Sequence, residues 1–241
     1  MAKRLRILAG PNGSGKTSIY RGLRDKFNWG VFVNADEIEK ALRECAELNL
    51  SAYGVCNTNF AQFELAFNQS LQAQKSRCVL SNIDLVDDVL TIKDSNLLDS
   101  YFSAFVASYI QSFLINAGVS FSFETVMSHP SKLDVMLNAK EKGYRVYLYY
   151  VSTLSPEINI GRVAARVAEG GHNVEEDKIR SRYYRSLGLL RDAISIADRA
   201  YVFDNSGKSN RWIAEYSGSD GRLTVYSNTD WFNKYVLDML S

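Results

Sequence analysis

Residues 9–18 read AGPNGSGKTS, and residues 10–17 within them satisfy G-x-x-x-x-G-K-[ST]. Gly10, Gly13 and Gly15 permit backbone angles and close approaches that a Cβ would block. Such a loop aims several backbone N–H groups at one point, an anion nest backed by a helix N-terminus. The candidate nucleotide-binding residues are Gly10, Pro11, Asn12, Gly13, Ser14, Gly15, Lys16, Thr17 and Ser18. Lys16 is expected to reach the β- and γ-phosphates of ATP or GTP, and the Thr17 hydroxyl to ligate Mg²⁺. The flanks agree: RLRILAG before the loop is a strand-like apolar run, and SIYRGLRDKF after it has helical spacing. The loop leaves open whether the phosphate is moved to a substrate, handed to water, or sensed.

Working outward, five runs read as strands: residues 4–9, 31–34, 119–123, 145–152 and 200–204. VYLYYV and AYVFD carry the β-branched and aromatic residues of buried parallel strands. Helical patterns separate them. Residues 131–142 close on Gly143, a helix stop, and residues 175–197 place Ile179, Tyr183, Leu187, Leu190 and Ile194 on one stripe. Strands alternating with helices predict an α/β domain, a parallel five-stranded core sheet covered on both faces. Ligands then bind at the carboxyl ends of the strands. RWIAEYSGSDGRLTVY predicts a C-terminal β-hairpin turning near Asp220-Gly221.

The 241 residues are read as a single domain, with an inserted subregion at about 44–99 between the second and third core strands. In it Phe60, Phe63, Phe67 and Leu71 share a helical face, and RCVLSNIDLVDDVLTIK reads as two short strands turning at Asp87-Asp88. The insertion either shapes a substrate pocket or lid, or only adds packing. Residues 100–123 carry no charge, but the polar residues Ser100, Ser103, Ser108, Gln111, Ser112 and Asn116 and the break at Gly118 favour a buried helix then a buried strand over a membrane span.

Lys and Arg number 28 against 27 Asp and Glu, a net charge of +1. That balance disfavours nucleic acid as a partner, while leaving room for a local basic patch. The three cysteines, Cys45, Cys56 and Cys78, lack metal-ligand spacing and read as reduced thiols of a cytoplasmic protein.

The acids and arginines decide what the loop's phosphate is for. Asp36, in NADEIEK, stands where a carboxylate could take the proton of a substrate hydroxyl. Asp36 followed by Glu39 is also a capping-box pattern, and both roles can hold. Glu124 ends the third strand, in FSFETVMSHPS, where a carboxylate can orient Mg²⁺-bound water or hold a substrate hydroxyl. His129, before Pro130, reads as a loop or cap residue. Arg162 and Arg166, four apart on one helix face, precede Gly170-Gly171. An arginine-bearing helical pair hinged on glycine suits a lid over a triphosphate, because the guanidinium fork matches phosphate oxygens. His172 is a candidate for substrate binding, and Arg180, Arg182 and Arg185 form a second tier.

GPNGSGKTS, NADEI, FETVMSHPSKL, GYRVYLYYVS, RVAARVAEGGHNVEEDKIRSRYYRSL and YVFDNSG, in that order, resemble the zeta-toxin-like ATPases and kinases. The resemblance implies a three-layer P-loop kinase fold, ATP as phosphoryl donor and Mg²⁺ as its ion. It matches Lys16 and Thr17 to the phosphate and Mg²⁺ groups, Asp36 to the base, Glu124 to the strand-end acid and Arg166 to a lid arginine. In the best-known members the acceptor is a UDP-linked amino sugar. This chain has Val126 where those toxins carry a threonine, and no arginine stands near residues 170–172, where their second lid arginine falls. The reading implied is a kinase of small-molecule hydroxyls, with Asp36, Lys16 and Arg166 as its catalytic set. The other reading is a nucleotide-binding or slowly hydrolysing switch that acts through a protein partner such as an antitoxin.

Overall fold

The computed structural model describes residues 2–170 and 173–238. Along the chain run β1 (Arg4–Ala9), α1 (Lys16–Leu23), β2 (Val31–Val33), α2 (Ala35–Cys45), β3 (Glu47–Asn49), α3 (Phe60–Gln69), α4 (Leu71–Lys75), β4 (Ile83–Val86), β5 (Val89–Ile92), α5 (Ser100–Ala117) and β6 (Phe121–Thr125). There follow α6 (Ser131–Glu141), β7 (Arg145–Ser152), α7 (Pro156–Ala168), α8 (Glu176–Gly188), α9 (Leu190–Ile196), β8 (Arg199–Asp204), β9 (Arg211–Ser217), β10 (Arg222–Val225) and α10 (Asp230–Phe232). All five expected core strands form, as β1, β2, β6, β7 and β8. The chain divides into two compact units, residues 1–29 with 122–241, and residues 30–121.

In the first unit the strands lie in the order β10-β9-β8-β7-β1-β6. β1 and β8 both pair with β7 in parallel, Ile7 opposite Leu148 and Tyr150 opposite Val202. The expected C-terminal hairpin is β9-β10. Gly221, at a φ of 64°, lies in its turn, and β9 extends the sheet antiparallel to β8. The middle strands are buried on both faces: Leu5, Ile7, Leu8, Val146, Leu148 and Tyr150 have no exposed surface. That double burial is why they read as unbroken apolar runs. One face carries α1, with Ile19 packed on Leu8, Val151, Tyr149 and Trp29. The stripe expected over residues 175–197 is fully buried, but it belongs to two helices, α8 and α9, which part at Leu189. The tail returns to the core, where Trp231 Nε1 donates to Asp204 Oδ2 at 2.8 Å.

The second unit contains the segment expected as an insertion. β4 and β5 form the predicted hairpin, with Asp87 and Asp88 at φ 49° and 63°. Two successive left-handed residues give a turn whose twist matches its strands, and Asp tolerates that conformation. The Asp88 carboxylate accepts from Asn57 N, Thr58 N and Thr58 Oγ1, which gives the turn a second task. β3, not foreseen, adds to β5 as the third strand. The aromatic helix is shorter than expected. α3 stops at Gln69 and Ser70 caps α4, so Phe63 and Phe67 are buried while Leu71 is exposed. The uncharged stretch forms α5, which buries Phe102, Phe105, Val106, Ile110 and Leu114 and ends at Gly118 in the left-handed conformation. No helix among the described residues is long and apolar enough to cross a membrane.

Candidate functional site

The phosphate loop joins the carboxyl end of β1 to the N-terminus of α1. Its entry is fixed by Gly10 N, which donates to Thr125 O at the end of β6 at 3.2 Å. Gly13 has a φ of 75°, and a Cβ there would lie 2.6 Å from the backbone oxygen of Asn159 on α7. Gly15, at φ 94°, is the N-cap of α1, and a Cβ there would collide with the side-chain amide of Asn205 just after β8. Both positions therefore require glycine, for conformation and for space. The Asn205 amide donates to Ser14 O at 2.8 Å, tying the loop to the end of β8. No side-chain oxygen caps α1. A helix N-terminus of this kind is a setting that favours an anion.

Lys16 is only 7% exposed. Its ammonium donates to Gly10 O at 2.8 Å and to Pro11 O at 3.1 Å, and stands 3.7 Å from Glu124 Oε1. The Lys16 ammonium thus lies buried against its own loop carbonyls, with the Glu124 carboxylate of β6 beside it. Thr17 and Ser18 are exposed on the first turn of α1, so the Thr17 hydroxyl is open to a hard cation at the loop's mouth. Among the described residues no group of three or more His, Cys, Asp and Glu side chains could hold a metal by itself. An ion in this loop would therefore depend on phosphate oxygens.

α7 and α8 form a helical hairpin that closes on the loop through buried polar groups. Thr153 Oγ1 donates to Asn159 Oδ1 at 2.6 Å, and Tyr183 OH of α8 donates to Thr153 O at 2.6 Å. Tyr150 OH and Ser186 Oγ are 2.9 Å apart. Burial pushes both tyrosine hydroxyls well above their ordinary pKa, so they remain neutral hydrogen-bonding groups. Arg180 pairs with Glu157 across the hairpin, and holds that carboxyl down to about 2. The two expected lid arginines differ. Arg166 is exposed on the last turn of α7, whereas Arg162 is half-buried and donates through Nη2 to Gly207 O at 3.4 Å. Arg182 is half-buried on α8. Gly170, at φ 87°, follows the hairpin's first helix, and His172 lies outside the described residues.

Asp36 belongs to the second unit, exposed in the first turn of α2. The capping-box reading of Asp36 does not hold. Asn34 is the cap, accepting from Asp36 N at 2.9 Å, while Glu39 is buried and binds Arg43. The Asp36 carboxylate is not spent on the helix end. His129 lies in the loop before α6, where its Nδ1 accepts from Ser131 N at 3.2 Å and stands 2.9 Å from Ser131 Oγ. Asn159 and Asn205 were missed by the sequence reading. Asn205 directly follows a parallel strand, the place where ligands gather, and that position was its signal. Asn159 gives none, because its contact with Gly13 is purely tertiary.

Known proteins share the architecture. The AvrRxo1-ORF1:AvrRxo1-ORF2 structure with ATP superposes with a TM-score of 0.56 at 18% identity, over 97% of this chain and 63% of that one. The PezAT toxin-antitoxin system of Streptococcus pneumoniae gives a TM-score of 0.53 at 18% identity, over 98% of this chain and 79% of that one. At such identities the likeness is one of fold. An uncharacterized protein of Haemophilus influenzae is 39% identical over 71 residues, 30% of this chain and 51% of that protein. The chain thus matches about half the length of that relative. The zeta toxin family model matches residues 89–215. That stretch contains Glu124, the α7–α8 hairpin with its arginines, and the Asn205 loop that locks onto Ser14. With more than half of its length so matched, and with a phosphate loop built to serve those same elements, this chain belongs to the zeta toxin family.

Proposed function

We propose that the protein is an ATP-dependent phosphotransferase that phosphorylates a hydroxyl group of a small molecule. The observation that carries this reading is the Lys16 ammonium buried in the loop 3.7 Å from Glu124. It sets a carboxylate beside the group that would hold the γ-phosphate, where an acceptor hydroxyl must arrive. The loop's N–H groups and Lys16 bind the phosphates. Asp36, with its carboxylate uncommitted to capping, takes the hydroxyl proton as the oxygen attacks the γ-phosphorus and ADP leaves. Glu124 orients the acceptor, and Arg166, exposed on α7, covers the transferring group. Thr17 fits the Mg²⁺ role, and the ion would neutralise charge on the β- and γ-oxygens.

The resemblance suggests a nucleotide sugar as acceptor, and the toxin-antitoxin relative suggests an antitoxin as partner. The deciding experiment is mass spectrometry of a metabolite extract before and after incubation with the protein, Mg²⁺ and ATP. A new phosphorylated metabolite that appears with ADP supports the kinase. Release of inorganic phosphate alone would favour the nucleotide switch instead.

A further inference from the structure

The two faces of the first unit's sheet are covered unequally. On one, Tyr150 meets Ser186 of α8, and Trp231 of the tail binds Asp204. The other is covered by α1 at β1 and β7, where Ile19 packs on Leu8, Tyr149 and Val151. Toward β9 and β10 this second face opens. Side chains alternate along a strand, so strand register fixes which residues share it. Arg6, Tyr147, Arg199, Ser217 and Arg222 form one row across it from β1 to β10, and Arg4 and Arg145 stand opposite each other in the row before. Tyr201, Glu215 and Thr224 form the next row, and Phe203 and Trp212 the one after. A cavity of about 200 Å³ opens between Arg199, Arg222, Ser217 and Thr224, with Glu215 and Asp220 on its wall.

The aromatic rings of this face form a chain that grows more exposed outward. Tyr149 stacks on Tyr201 at 5.2 Å, Tyr201 lies 6.2 Å from Trp212, and Trp212 lies 4.7 Å from Tyr226, just past β10. Tyr149 is buried and Tyr201 half-buried, whereas Trp212 is 45% and Tyr226 53% exposed. The outer rings are fixed by their polar edges. Trp212 Nε1 donates to Ala214 O at 3.0 Å, and Tyr226 OH donates to Glu215 Oε2 at 3.4 Å. Between β8 and β10 the face carries no exposed aliphatic side chain. Its arginines outnumber the carboxylates beside them, Glu215 and Asp220, and Glu215 is paired with Arg199 at 2.7 Å. Arg6, Arg199 and Arg222 stand on alternate strands, about 10 Å apart.

We propose that this face binds a single-stranded nucleic acid, with bases stacked on Trp212 and Tyr226 and backbone phosphates on Arg145, Arg199 and Arg222. Aromatic platforms beside a cationic track are how unpaired strands are held without reading their sequence. Trp, Tyr and Arg also mark protein interfaces. Guanidiniums repeated at regular spacing across the strands, with no exposed aliphatic contact, match a regularly charged polymer better than a folded partner. The net charge of +1 disfavours such a footprint over the whole chain and leaves it to this patch. The arginine rows lie at the amino ends of β1, β7 and β8, whereas the phosphate loop follows the carboxyl end of β1. The surface is thus separate from the phosphotransferase reading and stands or falls without it.

The test is fluorescence anisotropy of a labelled oligodeoxythymidylate of about 15 nucleotides, titrated with the full chain over a series of salt concentrations. The wild type is expected to bind, more weakly as salt rises. Trp212→Ala and Tyr226→Ala are each expected to weaken binding about tenfold and to leave the salt dependence unchanged. Arg222→Ala should instead flatten the slope of log K against log salt by about 0.7. Tyr226, outside the strands, decides the stacking arm if Trp212→Ala fails to fold. Saturating Mg²⁺ and ATP should leave the oligonucleotide bound. Displacement by ATP would place the strand in the phosphate loop and overturn the proposal. Equal affinity for a duplex of the same length would overturn it by removing the role of stacking. Equal affinity for polyglutamate would overturn it in favour of an acidic protein. A wild type that binds no strand at low salt would also overturn it.

Discussion

The Lys16 ammonium is shared between two loop carbonyls and Glu124. An incoming phosphate competes with that carboxylate for the cation. Glu124→Gln removes the competition, and is expected to tighten ATP binding about two- to fivefold, the worth of a modest ion pair. It should slow phosphoryl transfer if Glu124 orients the acceptor. Calorimetry beside a coupled ADP assay separates the two effects, and weaker ATP binding in the variant would mean that Glu124 helps to hold the nucleotide. Asp36→Asn tests the base. Asn34 keeps the helix cap in either case, so the variant should melt within a few degrees of the wild type and bind ATP normally. It should lose transfer by roughly two orders of magnitude. Transfer at the wild-type rate would pass the role of base to Glu124.

At the scale of elements, Asp99 is the most heavily used end-piece of the second unit. It caps α5 through Tyr101 N and Phe102 N, and also accepts from Ser76 Oγ and Arg77 N. Burial raises its carboxyl pKa, but these four hydrogen bonds outweigh burial and hold it below the ordinary value. A carboxyl with a lowered folded pKa stabilises fully above its unfolded value, about 4, and that contribution fades as pH falls through the folded value. Asp99→Ala is expected to cost about 2 kcal/mol at neutral pH. Asp99→Asn should keep much of the cap while flattening the loss of stability below about pH 4, and melting curves across that range check both. The elements also show how far a sequence can be read. The five strands, the Asp87-Asp88 turn and the Gly118 and Gly143 stops were legible because backbone conformation and burial act locally. The break after Gln69, the parting of α8 from α9, and the addition of β3 to β5 were not. Each depends on what the segment packs against, and hydrophobic spacing cannot encode that. The phosphate loop was legible for the same local reason, whereas Asn159 and Asn205 meet it only through the fold.

Across the whole molecule the three tryptophans occupy different surroundings. Trp29 is 5% exposed and Trp231 4%, whereas Trp212 on β9 is 45% exposed. Trp29 packs edge-on against Tyr20 of α1 at 5.1 Å and at a tilt against Tyr149 of β7 at 5.2 Å, and its Nε1 donates to Leu23 O at the end of α1. α1 begins at Lys16. An indole so placed is an optical gauge of the helix that carries Lys16. Emission selected by acrylamide, which quenches Trp212 first, should shift when ATP or tripolyphosphate is added, and Trp29→Phe should abolish the shift while leaving calorimetric binding intact. A shift that survives Trp29→Phe would locate the response elsewhere. The native protein would then report its own occupancy by fluorescence, without a label.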